Sequence, residues 1–293
     1  MKLGKKLHFK AKCLGMRYIT PENMLLLECL AQLSPNSSKN TLRSWIKEGR
    51  VQVDNRVIKL PNQEINAGQT IEVGQRKKFI QEDIEILYED SDLVVIDKPS
   101  GLLSVSAAYE KADTAHAVLK NHFHPRRVFV VHRLDQDTSG VMVFAFNEKT
   151  CTELKKLFAA HDIQREYAAV VEGKMSEGQG TWESYLIEDR NYHVYETEDT
   201  TAGEKATTHF KIKKASRKYT WLTLKLETGK KNQIRVHCQS AGFPVVGDKK
   251  YGAQTNPIKR LCLHAQLLAF LHPISKRIIK CESPIPDEFF KLK

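Results

Sequence analysis

Apolar positions in the first quarter of this chain fall into two short helices and a set of short strands. Residues 21–33 carry Met24, Leu25, Leu27 and Leu30 on one helical face, and Pro21 and Glu22 suit a first turn. Pro35-Asn36-Ser37-Ser38 breaks that helix. A second helix is predicted over 40–48, stopped by Gly49. Alternation then predicts strands at 51–53, 57–60 and 70–73, with turns at Asp54-Asn55 and Asn66-Ala67-Gly68.

A polar hinge, Gly74-Gln75-Arg76-Lys77-Lys78, separates this pattern from a longer one. Strands are expected at 84–89 and 93–97, then a helix at 114–123 with Asp113 as its N-cap. Two apolar runs, 128–131 and 141–146, read as strands around an Asp-, Thr- and Ser-rich turn. An amphipathic helix follows over 148–160, with Leu154, Leu157 and Phe158 apolar. Strands at 167–171 and 221–226, a helix at 232–240 ended by Gly242, and strands at 261–271 and 277–280 complete the pattern. Strands outnumber helices without a strand–helix–strand rhythm. The expected class is α+β, with a mostly antiparallel sheet and flanking helices. The expected division is a basic arm at 1–20, a small helix–hairpin domain at 21–75 and a larger domain at 80–293.

The formal charge of +11 and the pI near 9.2 shift this picture toward a polyanionic partner, RNA or DNA. No apolar run is long enough to span a bilayer, and no signal-peptide core follows the basic start, so a cytoplasmic protein is expected. The six cysteines make no CxxC pair and complete no zinc set, so free, mostly buried thiols and no metal are expected.

The turn between the two apolar runs carries the candidate chemistry. His132-Arg133-Leu134-Asp135-Gln136-Asp137-Thr138-Ser139-Gly140 puts a cation and a carboxylate on a turn held by two strands. Alone, it reads more readily as an Asp-rich hairpin turn with a salt bridge than as a catalytic group. Other stretches change that reading: Asp97-Lys98-Pro99-Ser100-Gly101-Leu102, Arg165-Glu166-Tyr167-Ala168, Gln233-Ile234-Arg235-Val236-His237, Gly247-Asp248, Leu263-His264-Ala265 and Phe270-x-His272-Pro273. In this order, from about residue 80 to the end, they resemble the RluA-type pseudouridine synthases.

That resemblance implies isomerisation of uridine to pseudouridine within RNA, with Asp135 as the catalytic carboxylate. A carboxylate can attack sugar or base, or take the proton at ribose C2′. Neither redox chemistry nor net water is needed, so no cofactor is expected. The resemblance further implies that Arg235 pairs with Asp135 and that Tyr167 stacks on the flipped uracil. Arg133 would fill the vacated stack, and His132 would contact RNA or stabilise the turn. Lys230 would face phosphate; it and Asn232 stand where many relatives carry Arg and His.

Residues 42–54, with Ile46-x-x-Gly49-Arg50-Val51-x-Val53, resemble an S4 RNA-binding domain. Arg43 and Lys47 are four apart on one helix face, and Arg50 emerges where the helix stops. The first helix lacks the Arg-Leu-Asp start common in such domains. Together the two resemblances imply a monomeric enzyme modifying large-subunit ribosomal RNA, with transfer RNA as the alternative substrate. A non-catalytic RNA-binding or ribosome-assembly factor would be expected to have lost Asp135 or Arg235. An N-glycosidase would release free uracil.

Overall fold

The computed structural model describes residues 16–47, 49–54, 56–58, 60–74, 78–106 and 114–292. It divides into two compact units, 1–78 and 79–293. Asp113, the expected N-cap, and Cys13 lie outside the described residues; Thr114 caps the helix Ala115–His122, accepting from the Ala117 N–H at 3.1 Å.

The first unit packs helices Leu26–Leu33 and Lys39–Lys47 on a four-stranded sheet. Leu26, Leu30, Leu42, Ile46, Val51 and Ile71 form the centre of its core. The first helix starts five residues later than its apolar spacing predicts. Met24–Leu25 instead pairs with Glu64–Ile65, and the Leu26 N–H donates to the Gln63 carbonyl at 2.9 Å. Glu28 then caps the start by accepting from the Leu25 N–H at 3.1 Å. Met16–Ile19, inside the expected basic arm, is a strand antiparallel to Thr70–Val73. The return strand expected at 57–60 is only Arg56–Val57.

The second unit is built on a 12-stranded sheet that is antiparallel except at one place. Strand Ser139–Ala145 runs through its centre with every residue buried. Side-chain alternation sends Met142 and Phe144 to one face, against Val118 and Leu119 of helix Ala115–His122. Val141, Val143 and Ala145 go to the other, against Cys151 and Leu154 of helix Glu148–Ala159. A strand covered on both faces reads as a continuous apolar run, as 141–146 does.

Three strands escaped the hydrophobic pattern: Gln179–Glu188, Val194–Thr197 and Glu204–Ala215. They pair with one another and with Tyr219–Leu226. Gln179–Glu188 has only Leu186 fully buried, so burial left almost no mark on its sequence.

Candidate active site

The turn at 131–138 is clamped from below by the loop that follows strand Leu93–Lys98. The fully buried Lys98 Nζ donates to the carbonyls of Pro99, Leu102 and Gln136 at 2.8, 2.7 and 2.9 Å. Three acceptors match the three protons of an ammonium. Burial pushes its pKa down to about 7, with Asp137 and Asp135 pulling the other way. Ser104 both donates to the Leu134 carbonyl at 2.7 Å and accepts from the Leu134 N–H at 3.1 Å. Ser100 donates to the Asp137 carbonyl at 2.7 Å. The Lys-Pro-x-Gly stretch is thus the support on which the Asp135 turn rests.

The end of the turn meets the closing strand. Ser139 and Gly140 pair in parallel with His264 and Ala265 of strand Leu263–Leu271. A Cβ on Gly140 would lie 2.2 Å from the Ala265 carbonyl oxygen, and φ is +121° there, so only glycine fits. Ser139 Oγ bonds His264 Nδ1 at 2.8 Å and accepts from Arg260 at 2.6 Å. Tyr167, on strand Gln164–Glu172, is opposite the same Ala265, where the register shifts. Such a shift re-aims a side chain.

Asp135, Tyr167 and Arg235 line one open cavity of about 900 Å³. Arg235 stands on helix Gln233–Ser240. Its Nη1 lies 3.4 Å from Asp135 Oδ2, one long contact. Its main partner is Asp248, bound in a fork at 2.6 and 2.7 Å. Burial opposes its charge, but Asp248, then Asp135, hold its pKa above the ordinary value. The helix is itself fixed by Gln233, which donates to Thr207 O and Thr208 Oγ1 and accepts from Thr228 and the Lys230 N–H. The Tyr167 hydroxyl makes no hydrogen bond among the described residues. Burial raises its pKa, Arg165 pulls it back, and Asp135 adds to the rise.

The remaining expected site residues divide. Arg133 is exposed at the cavity wall and has no hydrogen bond or ion pair among the described residues. His132 Nε2 accepts from the Val143 N–H at 3.1 Å, and its ring stacks on Phe158 at 4.5 Å. Burial, with Arg165 nearby, pushes its pKa down to about 3, so the neutral ring braces the turn. Its Nε2 is thus committed to the protein, while the residue itself stays part-buried on the cavity wall. Lys230 lines the cavity, but its Nζ is paired with Glu204 at 2.6 Å. In the first unit, Arg43 and Lys47 are exposed together on one helix face. Arg50 is tied instead to the Gly74 carbonyl at 3.0 Å and lies 5.0 Å from the Trp45 ring.

Two residues, Arg165 on the cavity wall and Asp248 behind Arg235, were not singled out by sequence reasoning. Arg165 is 8% exposed and, among the described residues, bonds only the carbonyls of Leu226 and Glu227, with its Nε unpartnered. Its signal was the cation two residues before Tyr167. Asp248 anchors Arg235, and its signal was the Gly247-Asp248 pair. Outside the cavity, Asp90, Asp92 and His272 have metal-ligand spacing. His272 Nδ1 accepts from the N–H groups of Ile274 and Ser275 at 3.1 and 3.0 Å, which puts the proton on Nε2. That nitrogen faces Asp90 Oδ2 at 3.0 Å and has no lone pair for a metal. The group ties the closing hairpin to the Asp90 turn.

A buried guanidinium beside a carboxylate, with a tyrosine on the wall, thus sits in an open cavity lined by further cations. The chain belongs to the RNA pseudouridylate synthase family, which it matches over residues 92–240, and it carries an S4 domain over 25–71. It is therefore an isomerase. It is 34% identical to ribosomal large subunit pseudouridine synthase D of Haemophilus influenzae, covering 94% of this chain and 92% of that protein. To the Escherichia coli protein of the same name it is 33% identical, covering 92% and 91%. Its fold resembles that of human RNA pseudouridylate synthase domain containing 4, with a TM-score of 0.58 at 23% identity, covering 70% of this chain and 90% of that one.

Proposed function

We propose that this protein converts specific uridines of large-subunit ribosomal RNA to pseudouridine, with Asp135 as the catalytic carboxylate. The observation that carries the assignment is the placement of Asp135 beside Arg235 in the cavity, with Tyr167 on its wall. The reaction breaks the bond from ribose C1′ to uracil N1, turns the base, and joins C1′ to carbon 5. The proton displaced from carbon 5 is lost and N1 gains one, so no atom is added overall.

An ionised carboxylate serves each available route as nucleophile or base. Arg235 touches Asp135 through Nη1 at 3.4 Å and so helps fix its position. Because Arg235 is held mainly by Asp248, it keeps its pose when Asp135 engages substrate. Tyr167 offers an aromatic face to the uracil and a free hydroxyl for proton handling. The target nucleotide must leave its stack, at a cost of a few kcal/mol. Arg133, exposed and uncommitted, suits the vacated space. His132 is assigned the bracing of the turn. Arg43 and Lys47 supply phosphate contacts from the S4 domain. The enzyme works as a cytoplasmic monomer.

The test is pseudouridine mapping on unmodified large-subunit, small-subunit and transfer RNA transcripts, with wild type and Asp135→Asn in parallel. New sites made by wild type alone, on the large-subunit transcript, are expected. Turnover by Asp135→Asn at the wild-type rate would remove the catalytic assignment. Sites confined to transfer RNA would replace the substrate.

A further inference from the structure

The hairpin joining strands Gln179–Glu188 and Val194–Thr197 ends in a residue the fold does not need. Tyr192 is 72% exposed and its φ is +60°. The turn is set by Asp189, whose carboxylate accepts from the N–H groups of Asn191 and His193, both at 2.8 Å. Left-handed backbone disfavours a bulky side chain, and the exposed ring returns little burial. Glycine or asparagine would suit the turn better.

What surrounds the ring is cationic. Lys231 Nζ lies 5.3 Å from its centroid, and Lys250 Nζ donates to the Tyr192 carbonyl at 2.9 Å. Arg190 and Lys249, both exposed, adjoin them in the chain. The nearby acids are Asp189, which is used in the turn, and Glu188, which pairs with Lys231. This surface is continuous with the cavity wall. Lys230 and Asn232 line the cavity, and Lys231 stands between them. His193 stacks on Tyr251 at 5.1 Å, and Tyr251 in turn packs on Arg235 at 4.8 Å and accepts from Asn232 at 2.9 Å. The hairpin tip is thus braced against the residues that position the site.

We propose that Tyr192, flanked by Lys231 and Lys250, is a stacking platform for an unpaired base of the substrate RNA outside the target nucleotide, with the lysines on adjoining phosphates. An exposed aromatic among cations is how proteins hold single-stranded nucleic acid. The inference rests on RNA being the substrate. It predicts that this enzyme needs an unpaired nucleotide near the modified uridine.

The experiment measures binding of the full-length protein to an unmodified large-subunit ribosomal RNA transcript, alongside KM and the single-turnover rate at saturating RNA. Tyr192→Ala is expected to weaken binding by about 5- to 100-fold, raising KM without changing the saturated rate. Tyr192→Phe keeps the stack and should bind as wild type does. Tyr192→Gly, which relieves the left-handed backbone, should lose affinity while its thermal midpoint stays the same or rises. Wild-type affinity in Tyr192→Ala overturns the platform, as does an equal loss in Tyr192→Phe. Because binding is read apart from turnover, a wild type that binds this transcript but makes no pseudouridine sinks the proposed function and leaves the platform standing. A wild type that does not bind overturns both.

Discussion

The two units of this chain present their cations by different means. In the first, Arg43 and Lys47 reach solvent from a single helix whose opposite face, Leu42 and Ile46, is buried. One local rule, helical spacing, makes both core and surface. In the second, the Asp135–Arg235 contact joins positions 100 residues apart, and the Ser139–His264 bond spans 125. Here a side chain becomes functional only through strand pairing far along the chain. A surface built by one helix tolerates change one residue at a time. A site assembled by pairing inherits every weakness of the sheet beneath it.

Gly140→Ala gives the largest expected effect. The added methyl meets the Ala265 backbone, so the parallel pairing must break, at a cost of about 4 kcal/mol to the second unit. Denaturant unfolding should show that transition move while the transition of the first unit stays in place. If both shift equally, the units do not fold separately and the contrast fails.

Arg235→Lys comes next. A single ammonium cannot fork onto Asp248 and still reach Asp135, so turnover should fall roughly hundredfold with RNA affinity nearly unchanged. Equal loss of both in single-turnover and binding assays would make Arg235 a phosphate contact instead.

Replacing Arg43 and Lys47 together with alanine should act in the opposite sense. RNA affinity falls and its logarithmic salt slope drops by roughly 2, while the rate on saturating RNA holds. An unchanged salt slope would remove the S4 helix from the interface.

The mildest lever is acid. Burial lowers the pKa of His132 to about 3 and of His264 to about 4, below the ordinary value of 6.5. Between about pH 6.5 and 4 the unfolded chain therefore takes up protons that the folded unit does not, and stability falls as pH falls. The described part of the first unit contains no histidine, so its unfolding should lack this contribution. His264→Asn should flatten the slope of the second unit; an unchanged slope would place the acid sensitivity elsewhere.

The sequence was most legible where burial marked it. The run 141–146 and the helix over 148–160 were placed within a residue or two, because both pack on a continuous core. The strands Gln179–Glu188 and Glu204–Ala215 were invisible, since much of their surface faces water and hydrogen bonds to neighbouring strands leave no pattern in side chains. The start of the first helix was misplaced for a related reason: Met24 is apolar at a helical position, but pairing with Ile65 claimed it. Ordered motifs marked the neighbourhood of the site, yet not how its parts share the work. Spacing offered no sign that Lys98 supports the signature turn, that His132 is spent on the Val143 N–H, or that Lys230 pairs with Glu204.

By itself the sequence determined the class, the family and the residue types required: a carboxylate on a rigid turn, a cation on a helix, a tyrosine on a strand, and a basic helix–hairpin ahead of them. These follow from local periodicity, turn chemistry and motif order, which act over a few residues. The family resemblance named Arg235 as the partner of Asp135; only the tertiary structure decided that Asp248 holds that cation and which charged groups, Lys230 among them, are already paired. Ion pairing and burial depend on distance in space, and the pairing of strands far apart in the chain sets that distance.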